Sequence, residues 1–344
     1  MLTIGYSNRT RYWQKYVFNN PPIGVKYKRA IDIPFHLMGI SNQFLKHTKW
    51  MIPLQNCDMY HTYNSIVGGY KPWVVEVESD IPRYGPMNET SRLFRWGIKR
   101  LRSNQCKKII FTSECSRELN RENFSKWGID EDKCHVVYRA VEPHKPLERS
   151  GEETKFSILM VGNAFYRKGG IELLKAFEQF DHDDVSLTII SNFEVDWAMY
   201  PTPEEKEYVA RSINRDPRIN VLSNISHQKV INWMRRSDIF VSTTYADPFN
   251  NTVLEALSCS LPVITTDVRA IPEFVIDDYN GFIYELDENI ERESIISFVL
   301  GKLNNYYDNQ DLLQRHSENA LEMVKSKFLI EHRNKLLIEK IYAL

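Results

Sequence analysis

The sequence predicts an α/β protein made of two doubly wound domains in tandem. Three observations point there. The second half alternates short, near-continuous apolar runs with amphipathic helical stretches, the pattern of parallel strands covered by helices on both faces. The first half repeats that rhythm more faintly. Between them, EPHKPLERSGEETK (142–155) is polar, carries prolines and a glycine and has no apolar period, which marks a linker. A chain of 344 residues also exceeds what one core ordinarily organises.

In the first half, strands are predicted at LTIGY (2–6), RAIDI (29–33), CDMYH (57–61), PWVVEVE (72–78), KKIIFTS (107–113) and CHVVYRA (134–140). Helices are predicted near 36–47, 91–104 and 114–127. In the second half, FSILMVG (156–162), VSLTII (185–190), INVL (219–222), DIFVSTT (238–244) and LPVITT (261–266) read as buried strands. GGIELLKAFEQF sets Ile171, Leu174, Phe177 and Phe180 on one helical face, and HQKVINWMRRS and NTVLEALSCS behave alike. Ligands of such sheets bind at the carboxyl ends of the strands, where helix N-termini point, and two such domains facing each other create a central cleft.

Hydrophobic residues make up 42% of the chain and charged residues 26%, an ordinary soluble composition. No apolar run reaches the ~18 residues of a membrane span, and MLTIGYSNRTRYW lacks a signal-peptide core. Cys57, Cys106, Cys115, Cys134 and Cys259 are dispersed, which reads as reduced thiols of a cytoplasmic protein. The sequons at Asn88 and Asn250 then read as chance. Residues 1–150 hold 24 Lys and Arg against 14 Asp and Glu, whereas the remainder holds 20 against 31. The two halves are therefore expected to meet different partners.

Two stretches carry chemistry. In STTYADPFNNTVLEALSCSLPVITTD (242–267), a strand ends near Thr244 and a helix starts near Asn250 or Asn251. Its free amides and dipole form an anion site. Glu255, about one turn in, is placed to accept hydrogen bonds from a diol such as a ribose; on spacing alone a solvated helix glutamate is an equal reading. In MVGNAFYRKGG (160–170), a strand ends at Gly162 and a helix starts after Gly169. Lys168 sits where a cation would meet a diphosphate, or is simply a surface cation at a helix entry. It is not a P-loop, because the lysine precedes the glycine pair, and no G-x-G-x-x-G occurs.

Taken together, VGNAFYRKG and the block INVLSNISHQKVINWMRRSDIFVSTTYADPFNNTVLEALSCSLPVITTDVRAIPEFVIDDYNGFIYE resemble the family 4 glycosyltransferases (glycosyl transferases group 1), which have the two-domain GT-B fold. FTSECSREL, CHVVYRAVE and the terminal KSKFLIEHRNKLLIEKIYAL fit the same resemblance, which is good from about 108 to 344. It implies an acceptor-side domain over 1–145, a nucleotide-sugar domain over 155–325 and a C-terminal helix over 326–344 that crosses back to the first domain. It further implies that Glu255 holds the ribose of a nucleotide-sugar and that Asp247 faces the transferred sugar. Gly162, Asn163, Arg167, Phe249, Asn250, Asn251 and Thr252 would line the diphosphate, and Lys168 would neutralise it as it leaves.

The sequence departs from the family pattern in three ways: Asp247 is shorter than the usual Glu, Pro248 and Asn250 replace glycines beside Phe249, and Asn163 replaces an arginine. Arg167 or Arg139 is then the candidate replacement cation. In the first domain, the position of the family's histidine falls near Glu78, with Glu76 and Asp80 beside it. Strand alternation sets Glu76 and Glu78 on one face, and Glu78 is the candidate catalytic carboxylate, a water-exposed edge acid being the alternative. His61 and Asn64 are weaker candidates.

The expected activity is retaining transfer of a sugar from a UDP-, GDP- or other nucleoside-diphosphate donor to a hydroxyl of a glycan or lipid-linked acceptor, as in polysaccharide or lipopolysaccharide biosynthesis. The alternatives are a weakened partner subunit and an epimerase or phosphorylase of the same fold. No cofactor, no metal and no nucleic acid are expected: the D-x-D spellings at 130–132 and 181–183 read as solvated turns. RLFRWGIKRLRSNQCKK (92–108) holds seven basic residues and no acid. On a helix, Leu93, Phe94, Gly97, Ile98 and Leu101 share one arc, and Arg92, Arg95, Lys99, Arg100 and Arg102 fill the other, with Trp96 at the border. That face suggests a peripheral contact with anionic membrane at the inner face, a solvated basic helix being the alternative.

Overall fold

The computed structural model describes residues 1–7, 20–33, 43–52, 56–85, 89–147, 156–196, 199–287 and 291–343. The chain forms two compact units, Met1–Ala140 with Ile330–Leu344, and Val141–Leu329. The first boundary therefore falls just before the polar segment, of which 148–155 lie outside the described residues.

The first unit is built on six parallel strands: β1 (Leu2–Ser7), β2 (Val25–Ala30), β4 (Met59–Tyr63), β6 (Trp73–Val77), β7 (Cys106–Phe111) and β8 (Cys134–Val136), in the order β2-β1-β4-β6-β7-β8. A separate parallel pair joins β3 (Thr48–Trp50) to β5 (Ile66–Gly68). The predicted strand at 29–33 is displaced, since pairing runs over Val25–Ala30 and only Asp32 beyond it makes a lone bridge, to Met51. This edge strand exposes Lys26, Lys28 and Arg29, so it carries no apolar run for the eye to find. The strand expected at 57–61 starts at Met59, because Asp58 accepts from the Thr3 amide at 2.7 Å. Of the helix expected at 36–47, residues 36–42 lie outside the described residues and Gln43–Lys46, α1, is a single turn.

Helix α2 (Arg92–Arg102) buries Phe94, Gly97 and Leu101. It differs from expectation at three positions. Leu93 is 40% exposed. Arg100 turns inward, donating to the carbonyls of Val67 at 2.9 Å and Gly69 at 2.7 Å. Trp96 stacks on Trp50 with ring centroids 5.5 Å apart, since burying an indole outweighs leaving it at the border. Helix α3 (Glu114–Trp127) begins with a Ser113–Ser116 capping box and ends on left-handed Gly128.

The second unit holds β9 (Phe156–Val161), β10 (Val185–Ile190), β11 (Ile219–Leu222), β12 (Ile239–Ser242), β13 (Val263–Thr266) and β14 (Gly281–Tyr284) in the parallel order β11-β10-β9-β12-β13-β14. Its helices are α4 (Gly170–Gln179), α5 (Pro203–Arg215), α6 (His227–Met234), α7 (Asn251–Ser258), α8 (Arg292–Asp308) and α9 (Gln310–Lys327). The strand order reverses direction between β9 and β12, the switch point where doubly wound sheets bind ligands.

The C-terminal helix is not one element over 326–344. Helix α9 stops at Phe328, whose ring packs on Phe274 in the second unit's core. A new helix, α10 (Ile330–Leu336), then continues into a π-turn over Leu337–Ile341 and belongs to the first unit. Leu337, Ile341 and Tyr342 share a core with Ile4, Met59, Val74 and Ile110. Arg333 donates to Glu76 Oε2 at 2.7 Å and to the Tyr138 carbonyl at 2.9 Å, and Tyr342 OH lies 2.7 Å from His61 Nδ1 and 2.9 Å from Tyr27 OH.

Candidate active site

At the carboxyl end of β9 the chain turns at Gly162, runs through 163–168 and enters α4 after Gly169. Gly169 has φ +77°, and a Cβ there would lie 2.5 Å from the Thr243 carbonyl oxygen, so glycine alone lets the loop lie against the end of β12. The Tyr245 amide donates to the Arg167 carbonyl at 2.9 Å and fixes that approach. Gly162 has a different reason. A Cβ there would fall 2.3 Å from Lys168 Cδ, so the missing side chain is the channel through which the lysine stem runs.

Lys168 is buried and its Nζ converges on the other loop. It lies 3.2 Å from Asp247 Oδ2, 3.0 Å from Asn250 Oδ1 and 3.4 Å from Thr252 Oγ1. Asn250 caps α7 in a left-handed conformation, φ +49°, which asparagine tolerates better than most residues. Its Oδ1 also accepts from Thr252 Oγ1 at 2.8 Å. Asp247 Oδ1 accepts from the Asn250 amide at 2.7 Å and the Phe249 amide at 3.2 Å. Burial alone would raise the Asp247 pKa, but Lys168, the Asn250 amide and Arg167 outweigh it and hold this carboxyl below its ordinary range.

Two of the turn amides expected to face a phosphate are thus bonded to Asp247. The Phe249 side chain is core, fully buried against Phe274 at 5.3 Å. Asn251 and Thr252 occupy the first turn of α7, where amide N–H groups have no acceptor within the helix. Asn163 is exposed, and its carbonyl accepts from Glu194 and Phe165 at 2.7 and 2.9 Å. Arg167 is held by Asp196, at 2.6 Å, and by the Ala246 carbonyl, with its guanidinium 3.5 Å from Asp247.

Glu255 lies one turn into α7 and partly exposed. Its Oε1 is 2.9 Å from His227 Nε2, at the first position of α6. His227 escaped the sequence reading, since a lone histidine 28 residues away carries no spacing signal. The hydrogen bond to Glu255 raises its pKa above the ordinary value against the effect of burial.

In the first unit, Glu78 follows the end of β6. Its Oε1 accepts from Arg139 at 2.9 Å, Asn64 holds its amide at 3.0 Å, and Arg83 lies 4.0 Å from Oε2. Arg139 also donates to Tyr63 OH. Both arginines considered as replacement cations therefore have carboxylate partners. Glu76 is buried and paired with Arg333 and His61. His61 is likewise buried, so neither faces solvent. The D-x-D stretch at 130–132 forms a turn capped by Asp130, which accepts from the Asp132 amide at 3.0 Å.

The family model of the glycosyl transferases group 1 matches residues 145–322. Among curated proteins, the capsular polysaccharide biosynthesis glycosyltransferase CapM of Staphylococcus aureus is 24% identical over 66% of this chain and 56% of its own length. The uncharacterized glycosyltransferase MJ1178 of Methanocaldococcus jannaschii is 24% identical over 80% of this chain and 73% of its own length. The chain thus spans little more than half the length of some of the curated relatives it matches. Among solved structures, a glycosyltransferase of Rickettsia africae superposes with a TM-score of 0.66 at 18% identity, covering 98% of this chain and 97% of that one. Anabaena HepE, solved with UDP-glucose, superposes with a TM-score of 0.66 at 13% identity over the whole of both chains. These likenesses establish the fold as GT-B, two Rossmann-like domains.

Proposed function

The chain belongs to the glycosyl transferases group 1 family, and from that premise we propose that it is a retaining glycosyltransferase using a nucleoside-diphosphate-sugar. The observation that carries this reading is the convergence of Lys168 Nζ on Asp247, Asn250 and Thr252 at the switch point of the second sheet and the N-terminus of α7. A cation and helix amides in one place suit a diphosphate. A carboxylate on the same cation suits the polar face of a sugar. With donor bound, Lys168 shares its charge between Asp247 and the diphosphate, and Glu255 accepts from the ribose diol.

In the proposed step the acceptor hydroxyl oxygen bonds to the anomeric carbon on the face the leaving group departs from. The bond from that carbon to the phosphate oxygen breaks, and the acceptor proton passes to the leaving phosphate. Lys168 and the α7 amides stabilise the charge that develops there, the role a metal ion plays in other transferases. The reading therefore expects no metal and no cofactor, and activity unchanged by a chelator. Glu78, held by Arg139, is proposed as the acceptor-side carboxylate. The UDP-glucose held by HepE supports a nucleotide-sugar donor, a UDP- or GDP-sugar first. The capsular role named for CapM supports a glycan or lipid-linked acceptor. Among the described residues no helix is long and apolar enough to cross a membrane, and we propose that α2 contacts anionic membrane peripherally.

Incubation with a panel of UDP-, GDP- and ADP-sugars, following nucleotide release with and without acceptors, tests the reading. Slow release from at least one donor, accelerated by an acceptor, is expected. Thermal stabilisation by a nucleotide-sugar without release from any donor would favour a non-catalytic partner subunit. Neither binding nor release from any donor would overturn both.

A further inference from the structure

We propose that His227 is the positioning residue that holds the Glu255 carboxylate for the donor ribose, so that donor affinity follows the protonation of this imidazole. The proposal rests on the assignment of Glu255 to the ribose. Its own observation is the 2.9 Å contact between His227 Nε2 and Glu255 Oε1, made between the first position of α6 and a side chain one turn into α7. A carboxylate only accepts, so Nε2 carries the proton and donates. Oε1 is thereby occupied and the side chain is fixed in one orientation. Glu255 Oε2 makes no hydrogen bond among the described residues, and the pair is neither buried away nor loose, with the two side chains 26% and 21% exposed. One oxygen is anchored by protein and the other is left for a diol.

Charged groups from several elements face the pair. From α7 the facing group is Glu255, which raises the His227 pKa. The segment 141–147 contributes His144 and Glu142, and α6 ends on Arg235, which donates to the Lys145 carbonyl at 2.6 Å. Strand β9, against which α6 also packs, has no ionisable side chain. His144 is pushed below the ordinary histidine range by burial and by Arg235. The two histidines are thus shifted in opposite directions, His227 up and His144 down, and the His227→Gln variant tells them apart.

The protonated imidazole serves binding through its contact with the carboxylate. It makes a charge-assisted hydrogen bond that pins Glu255 more firmly than a neutral ring does. Affinity is full when His227 is charged and falls as pH rises through its raised pKa.

The test measures Kd for whichever of UDP-glucose, GDP-mannose or ADP-glucose the wild-type chain binds, from about pH 6 to about pH 9. The diphosphate of a nucleotide-sugar is a diester and does not itself titrate there. Kd is expected to rise roughly tenfold across the range, the difference between a charged and a neutral hydrogen bond. Calorimetry in two buffers of different ionisation heat should register proton uptake on binding. His227→Gln keeps a donor but cannot titrate, and should bind at the high-pH level with a flat profile. The 2′,3′-dideoxy analogue of the same donor, which lacks the diol, should show neither the pH step nor the effect of the substitution. A flat wild-type profile, a step that survives in His227→Gln, or a dideoxy analogue that follows the same step each overturns this inference while leaving donor binding intact. A wild-type chain that binds none of the three nucleotide-sugars removes the ribose assignment itself, and this inference with it.

Discussion

Each sheet carries a carboxylate beside a cation at its carboxyl end, yet the two constellations differ in what they leave available. In the first unit, Glu78 is gripped by Arg139, whose guanidinium also serves Tyr63, and its backbone is fixed by Asn64. Deeper in, Glu76 is fully buried and paired with Arg333. In the second unit, the cation is a lysine, a compact charge on a flexible stem, shared among three oxygens of different kinds. A guanidinium paired with a carboxylate and bonded to further oxygens around it resists exchange of partners, whereas an ammonium among neutral and anionic oxygens can share itself with an incoming anion. The buried Glu76–Arg333 pair of the first unit thus holds architecture, whereas Lys168 in the second unit is placed to exchange partners.

The largest expected effect breaks the architectural half. Arg333→Ala leaves Glu76 buried without its counter-charge and should destabilise the first unit by about 3–5 kcal/mol, read from urea unfolding. The pair also predicts a pH dependence. Burial would raise the Glu76 pKa, but Arg333 and His61 hold it at about 2, below the ordinary 4.5. A depressed carboxyl stabilises the fold above its unfolded value, so this contribution should be intact at neutral pH and fade between about 4.5 and about 2. A wild-type and an Arg333→Ala chain that lose stability in parallel through that window would contradict the assignment.

The chemical half answers to a different measurement. Lys168→Ala should lower turnover by about 10²–10³-fold, the cost of removing one charge-stabilising donor, with a smaller change in donor affinity, since the diphosphate charge grows as it leaves. The chain should keep its melting temperature within a few degrees. A variant that binds poorly yet turns over normally at saturation would place Lys168 in binding instead.

How far the sequence foretold this follows from where each signal lives. The strands of the second unit were legible because both faces are covered, which forces continuous apolar runs such as VSLTII, found as β10 at the expected residues. Strand β2 was not, since one edge is charged. Helix α5 went unnoticed although Thr202, Pro203 and Glu205 spell a capping box with proline at the first position. Lys168 and Glu255 were singled out by their place at a strand end and a helix start, and Asp247 by the family resemblance. Their neighbours His227 and Asp196 were not, and neither was Arg333, 257 residues from Glu76. Contacts at such separations are set by the sheet order, which no short motif records.

A milder effect sharpens the comparison within the second unit. Glu255→Gln keeps the shape and weakens the charged hydrogen bonds to a ribose, and should cost about 1.5–3 kcal/mol of donor binding, roughly ten- to a hundredfold in Kd. Its turnover at saturating donor should change less than that of Lys168→Ala. Equal affinity in a folded Glu255→Gln chain would leave the ribose without a holder.

The smallest effect per residue concerns the outer face of the first unit. Arg92, Arg95, Lys99 and Arg102 are exposed along one side of α2, with Leu93 partly exposed beside them, whereas Arg100 and Trp96 are spent on protein contacts. Four outward cations near an anionic bilayer are worth about 1 kcal/mol each, enough for weak, reversible docking and little more. Such docking would bring the chain to a lipid-linked acceptor without altering the chemistry of the second unit. Co-sedimentation with liposomes should therefore increase with anionic lipid content and fall with added salt, as the screening length shortens. Replacing Arg95, Lys99 and Arg102 by Glu should abolish it while leaving nucleotide release from the donor unchanged, because none of the three belongs to the donor site. Binding indifferent to lipid charge and to salt would instead mark α2 as a solvated basic helix, and the acceptor would then be sought among soluble glycans.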